Sequence, residues 1–252
     1  YGDHRDLHLS IRRQRQMCIR DRILYELDAI NEQYFSPYTW RILMSLNHKE
    51  LYDETKRVQV KFSDKSLISH KGFKTVPVLE DGNIWTGESL QIAKYLEEAY
   101  PDKPSLFGSK ENMELTSIIN HMLDPKILSI LARIIVSDVY KVLQPDDKVY
   151  FRETREKMLN KKIEDIDLES EKYIPILQKE LNPFRRILKD NDFFSGKKPM
   201  YCDYLLFGFF MWARNTSPKQ LLDKNDILWL WRERMLNLFD GFAKKSNGYE
   251  IK

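Results

Sequence analysis

The pattern of apolar residues changes character at Pro101-Asp102-Lys103-Pro104, and that change limits the fold class. Before it, short alternating runs take turns with helical ones. Ile23 to Leu27 reads as a strand. Ser36-Pro37 then opens a helix, because Ser is a strong N-cap and Pro fits the first helical position, where no amide donor is needed. Trp40, Leu43, Met44 and Leu46 give that helix an apolar face ending near Asn47. Thr55 to Phe62 alternates around Val58 and Val60 as a second strand. Thr75 to Leu79 is a strand containing a proline, Asp81-Gly82-Asn83 a hairpin turn, and Ile84 to Thr86 the returning strand. Glu88-Ser89 starts a helix that runs to Pro101. The order is βαβ, a connection, then ββα.

After the proline-flanked linker no strand pattern returns. Helical periodicity covers Glu114 to Asp124, Pro125 to Leu143, Arg152 to Leu188 with an interruption near Pro175, Cys202 to Asn215, and Asp226 to Lys244. Mixed α/β followed by all-α predicts two units, 23–104 and 105–252. At 42% hydrophobic over 252 residues the chain can build two cores. No apolar run approaches the roughly 18–20 residues of a membrane-spanning helix, so the expectation is a cytoplasmic protein without membrane partners. Cys18 and Cys202 are too few and too distant for a disulfide framework or a zinc cluster. No metal is implied. Cys202 reads as a small buried hydrophobe, with a reactive thiol as the alternative.

Residues 1–22 stand apart. They hold six Arg and three Asp, and removing them from 41 basic and 38 acidic residues leaves 35 of each. The body is thus formally neutral, which disfavours a nucleic-acid partner. Arg13-Gln14-Arg15-Gln16-Met17-Cys18-Ile19-Arg20-Asp21-Arg22 resembles translated sequencing-adaptor read-through. The expectation is a leader that is non-native or disordered, excluded from the fold.

Three elements carry chemistry. Ser36-Pro37-Tyr38-Thr39 sits where the first strand hands over to the first helix. A glutaredoxin-like site reads Cys-Pro-Tyr-Cys; hydroxyl residues at both cysteine positions remove dithiol chemistry, since neither forms a mixed disulfide. What remains is a helix N-terminus with amide donors, a partial positive charge and a hydroxyl, suited to an anion such as a thiolate. A thiol of pKa about 8.5 needs a drop of roughly two units, or about 3 kcal/mol, to ionise near neutrality. A hydrogen bond to a charged group contributes roughly 1.5–3 kcal/mol and a helix N-terminus up to about 2. Ser36 is equally readable as a plain helix cap. Second, the proline of Thr75-Val76-Pro77 cannot donate to a ladder, and a cis bond before it would turn the Val76 backbone toward an extended peptide ligand. Third, Glu88-Ser89 at a helix start suits an α-carboxylate and an α-amine, or again serves only as a cap.

These elements, with Glu80-Asp81-Gly82 and Leu90-Gln91-Ile92-Ala93-Lys94-Tyr95-Leu96 around them, resemble the cytosolic glutathione transferases. Phe35-Ser36-Pro37-Tyr38, Trp40-Arg41, Phe151 to Lys157, Tyr201 to Arg214 and Trp231 to Gly241 are similar to the bacterial β-etherase-like group and its fungal relatives. The resemblance implies a thioredoxin-like N-terminal domain, an all-helical C-terminal domain and a homodimer. It implies glutathione as co-substrate, transferred as thiolate to a hydrophobic or aromatic electrophile, with cleavage of a β-aryl ether as a narrower form. Carried over by position, Ser36 faces the sulfur with Thr39 as the alternative hydroxyl, and Val76 beside Pro77 meets the cysteinyl backbone. Glu88 and Ser89 hold the γ-glutamyl end, and Lys74 the glycyl carboxylate. A glutathione-binding scaffold without turnover is the competing reading.

Two departures from the group are visible. Thr39 stands where members often have Cys. Met200 replaces the Ser/Thr of a capping box whose Asp203 is retained, predicting one lost cap. In the helical half, Phe209, Phe210, Met211, Trp212, Trp229 and Trp231 read as core, His48, His70 and His121 as surface or satisfied histidines, and Asp146-Asp147 and Glu164-Asp165 as solvated charge.

Overall fold

The computed structural model describes residues 21–32 and 34–250. Strand β1 (Arg22–Leu27) lies in the middle of a four-stranded sheet of order β2-β1-β3-β4. It pairs in parallel with β2 (Thr55–Val60) and antiparallel with β3 (Val78–Asp81). Gly82, at a φ of +63°, closes the tight turn from β3 to β4 (Ile84–Gly87). Helix α1 (Pro37–His48) makes the parallel crossover, α2 (Ser66–Ser69) is a single turn, and α3 (Ser89–Ala99) packs back on the sheet. This is the expected thioredoxin-like βαβ-ββα order. Leu24, Trp40, Ile42, Leu43, Leu79 and Leu96 are all but fully buried between sheet and helices, each contributing roughly 1.5–3 kcal/mol of apolar burial.

The remainder is helical: α4 (Lys110–Val142), α5 (Pro145–Leu159), α6 (Ile163–Glu169), α7 (Tyr173–Glu180), α8 (Asn182–Leu188), α9 (Tyr201–Thr216) and α10 (Ile227–Gly241). Among the described residues no helix is long and apolar enough to cross a membrane.

Several expectations need correction. Of the excluded leader, residues 1–20 lie outside the described residues, but Arg22 begins β1 and is 3% exposed. Its guanidinium donates to the Leu51 carbonyl, the Thr55 hydroxyl and the Tyr100 hydroxyl. Those partners are distant in sequence, which is why composition alone misassigned it. Helix α4 runs through Pro125 without a break; proline removes one hydrogen bond there, and packing against α9, α6 and α7 outweighs that loss. The stretch from Arg152 to Leu188 is divided among four helices rather than interrupted once near Pro175, which lies inside α7. Asn160 ends the first of them in the left-handed region, φ 51° and ψ 39°, a conformation asparagine tolerates well.

Helix α9 is the hub. Its Gly208 lets the helix touch α1 so closely that an added Cβ would lie 2.4 Å from the Pro37 carbonyl oxygen. Beside that contact the fully buried Arg41 holds Asp124 of α4 with both terminal nitrogens, at 2.7 and 3.1 Å, and Asn120 at 3.1 Å. The start of α9 retains the Asp203 half of its capping box, the carboxylate accepting from the Met200 amide at 3.1 Å. The Asp203 amide donates to the Met200 carbonyl at 2.9 Å, so a backbone oxygen stands in for the missing hydroxyl.

Candidate functional site

A cavity of about 640 Å³ opens where α1, the segment 74–77 before β3 and the head of α3 face the helices α4 and α5. Six of the seven candidate residues line it: Ser36, Lys74, Val76, Pro77, Glu88 and Ser89. Thr39 does not. Its side chain is turned into the core at 1% exposure, with its hydroxyl unbonded among the described residues, so the structure does not bring this alternative hydroxyl to the cavity.

Ser36 has the extended backbone of an N-cap, φ −79° and ψ 120°, and its Oγ accepts from the Thr39 amide at 3.3 Å. The cap uses a lone pair, so the hydroxyl hydrogen is left to donate into the cavity. The cap is therefore compatible with a hydroxyl that donates elsewhere. Pro37 carries no amide, and Trp40 donates to the Ser36 carbonyl at 3.1 Å. The Tyr38 amide is the first-turn donor left over.

The peptide between Val76 and Pro77 is cis, the isomer the family resemblance implies. The ladder of β3 begins only at Val78, which keeps the Val76 amide and carbonyl out of it. At the next helix start Glu88 adopts φ 63° and ψ 128°, a region a non-glycine residue occupies at a cost of about 1–3 kcal/mol. This puts the exposed Glu88 and the 5% exposed Ser89 on the cavity wall at the head of α3. Ile92 donates to the Glu88 carbonyl at 2.9 Å, and no side chain caps the helix. The amides of Ser89, Leu90 and Gln91 thus point forward together, an anion-binding end with a hydroxyl beside it. Lys74 is exposed on the same rim.

The opposite wall comes from α5 and the segment after β2, and Asp147 builds it. The sequence pattern gave this residue as solvated charge; the structure corrects that, for it is fully buried. Its carboxylate accepts from the Phe62 and Ser63 amides, each at 2.8 Å, and from the Ser63 hydroxyl. Three donors satisfy a charge that burial would otherwise penalise. This clasp sets the Phe62 ring against Phe151 at 5.4 Å, with the Arg155 guanidinium 4.9 Å from the Phe62 centroid. Lys65 also lines the cavity, and burial pushes its amine down to about 8. Burial likewise lowers Arg155. None of Phe62, Lys65, Asp147 or Arg155 was read from the sequence as a site residue. Phe62 and Asp147 are 85 positions apart, so no short window of sequence joins them.

Trp212, read as core, is both 9% exposed and on the cavity wall. Tyr38 sits at its floor; its phenol is raised by burial, with the Asp124 charge adding and Arg41 opposing, and it stays a neutral donor. His121 reaches the rim, while His48 is satisfied by the Tyr204 hydroxyl at 2.6 Å. Burial raises the Cys202 thiol well above its ordinary range, and its sulfur lies 2.9 Å from the Ser195 hydroxyl.

The sequence model of the glutathione S-transferase C-terminal domain matches residues 115–244, and that of the N-terminal domain matches 35–99. The chain belongs to the glutathione S-transferase family. As a member it is 25% identical over 159 residues to the glutathione S-transferase-like protein ustS of Aspergillus flavus. That match covers 59% of this chain and 54% of the Aspergillus protein, so the chain spans about half the length of that relative. Among solved structures it is similar to glutathione transferase GSTFuA3 of Phanerochaete chrysosporium, with a TM-score of 0.71 and 28% identity over 89% of this chain and 94% of that one. The fold also matches the Ceriporiopsis subvermispora transferase CsGST63524, solved in complex with glutathione, at a TM-score of 0.72 and 23% identity over 90% and 94% of the two chains. In this transferase family member the sheet with α1 and α3 is the N-terminal unit and the helices α4–α10 form the C-terminal one.

Proposed function

We propose that this chain is a glutathione-dependent transferase whose Ser36 holds the tripeptide's sulfur as a thiolate. The observation that carries the reading is convergence: the Ser36 hydroxyl, the ladder-free Val76 backbone and the uncapped head of α3 all border one cavity. Within it Val76 and Pro77 pair the cysteinyl backbone, and the amides at Ser89 take the α-carboxylate. Glu88 takes the α-amine and Lys74 the glycyl carboxylate. The thiolate attacks an electrophilic carbon of a hydrophobic or aromatic second substrate lying against α4 and α5. A C–S bond forms while the leaving group departs with its electron pair. When that group is a phenoxide the reaction is β-aryl-ether cleavage, the narrower form suggested by likeness to the β-etherase group. The family likeness also carries a cytoplasmic location, a role in detoxification and a homodimer. For the last, Leu115, Ile118, Ile119 and Met122 make an exposed apolar stripe along α4, each at least 40% exposed.

The test is Ser36→Ala, assayed with reduced glutathione and 1-chloro-2,4-dinitrobenzene from pH 6 to 8. Loss of a hydrogen bond to a charged sulfur predicts a fall in kcat of about tenfold or more and a pH profile displaced upward. An unchanged kcat and profile would remove Ser36 from the mechanism. Retention of the native chain on immobilised glutathione, with no turnover of any electrophile, would leave a binding protein in place of an enzyme.

A further inference from the structure

The charges around the cavity do not balance on the α5 side. Of its acidic residues, Asp124 is taken up by the buried Arg41, and Glu88 stands at the head of α3. On the wall made by α5 and the segment after β2, Arg155 forms no ion pair among the described residues; its one hydrogen bond goes to the Thr154 hydroxyl at 3.4 Å. The guanidinium lies against both the Phe62 and Phe151 rings, 4.9 and 5.1 Å from centroids that are 5.4 Å apart. Lys65 Nζ is 5.4 Å from the same Phe62 ring and, among the described residues, donates to the Lys61 and Phe62 carbonyls. Two carboxylates act on Lys65, Asp147 and Asp64; Asp147 accepts from the Ser63 hydroxyl and the Phe62 and Ser63 amides, and Asp64 from the Ser66 amide at 2.8 Å.

Long cationic side chains ordinarily extend their heads into water. Here two of them are drawn onto aromatic faces inside a cavity, where cation–π contact offsets only part of the lost hydration. A planar anion would complete the arrangement, because a guanidinium binds a carboxylate with parallel donors and the rings flank an aromatic plane. We propose that the second substrate is an aromatic electrophile bearing a carboxylate, which Arg155 and Lys65 hold beside Phe62. The word substrate rests on the transferase reading. The selectivity for an anionic aromatic belongs to the wall itself.

The test separates the two. Binding of 2-naphthoate and of 2-naphthamide to the full chain is measured by calorimetry, neither probe needing turnover. The native chain is expected to prefer the naphthoate by about tenfold, the worth of one charge-assisted contact. Arg155→Met abolishes that preference while the naphthamide affinity and the glutathione affinity hold, and Lys65→Met reduces it. Equal binding of both probes by the native chain overturns the proposal without any variant being made. So does a preference that survives both substitutions. Naphthoate selectivity in a chain with no affinity for glutathione would keep the anionic subsite and sink the transferase reading instead.

Discussion

Ser36 accepts one hydrogen bond as a cap and spends no proton on it, and polar side chains elsewhere are likewise occupied in shaping the chain. Asp147 is a buried anion fully occupied in shaping a wall. Asp203 is another, 0% exposed, accepting from the Phe194 amide at 2.9 Å, the Met200 amide at 3.1 Å and the Trp231 indole at 2.9 Å. Desolvation outweighs those donors and raises its carboxyl from 3.8 to about 6. Between those two values the folded chain keeps a proton that the unfolded chain has released. This group therefore adds stability as pH falls from about 6 toward 4, in a shift of roughly two units or about 3 kcal/mol. Asp203→Asn cannot titrate. Urea unfolding at pH 4, 5 and 6 is expected to show the native chain gaining on the variant as pH falls. A constant gap across that range would mean the carboxyl stays ionised.

At the level of elements, the close approach of α9 to α1 is what fixes the N-terminus of α1 under the cavity. Gly208→Ala would place a methyl 2.4 Å from the Pro37 carbonyl oxygen and 3.2 Å from the Arg41 side chain. Neither neighbour can yield cheaply, since one is helix backbone and the other is fixed by Asp124 and Asn120. Overpacking of this kind costs about 1–3 kcal/mol, read as a lower urea midpoint. Because the shifted residue adjoins Ser36, the Michaelis constant for glutathione is expected to rise in the same variant. Loss of stability with that constant unchanged would confine Gly208 to packing. Which elements exist was legible where signals are local: Ser36-Pro37 marked α1 and Asp81-Gly82-Asn83 the β-hairpin, whereas the cis bond at Val76-Pro77 followed from the family resemblance. The α3 head was readable from Glu88-Ser89, another local signal. Pro125 misled because the packing that carries α4 through it comes from residues far along the chain. Arg22, Thr39 and Asp147 were misjudged for a related cause. Whether a polar side chain faces solvent, cavity or core is decided by partners that no short window contains.

For the molecule as a whole, the two halves meet through polar locks as well as apolar packing: Arg41 with Asp124, Asp147 with the Phe62 and Ser63 amides, and Asn215 donating to the Tyr34 carbonyl at 2.8 Å. These hold the cavity walls in register without covering the outer face of α4. There Leu115, Ile118, Ile119 and Met122 recur at helical spacing with exposures of 57, 56, 40 and 70%, a stripe that costs solubility unless something covers it. A second copy of the chain, related by two-fold symmetry, would bring the stripe against itself, since an isologous contact uses the same patch on both partners. Ile118→Glu puts like charges opposite each other on such a contact, and burying them unpaired is unfavourable. Light scattering after size exclusion is therefore expected to give twice the chain mass for the native protein and the single chain mass for the variant. Far-UV circular dichroism and glutathione affinity should stay unchanged, because residue 118 does not line the cavity. A variant that remains dimeric would move the contact elsewhere, and a native chain already monomeric would leave the stripe bare and the family's pairing absent from this member.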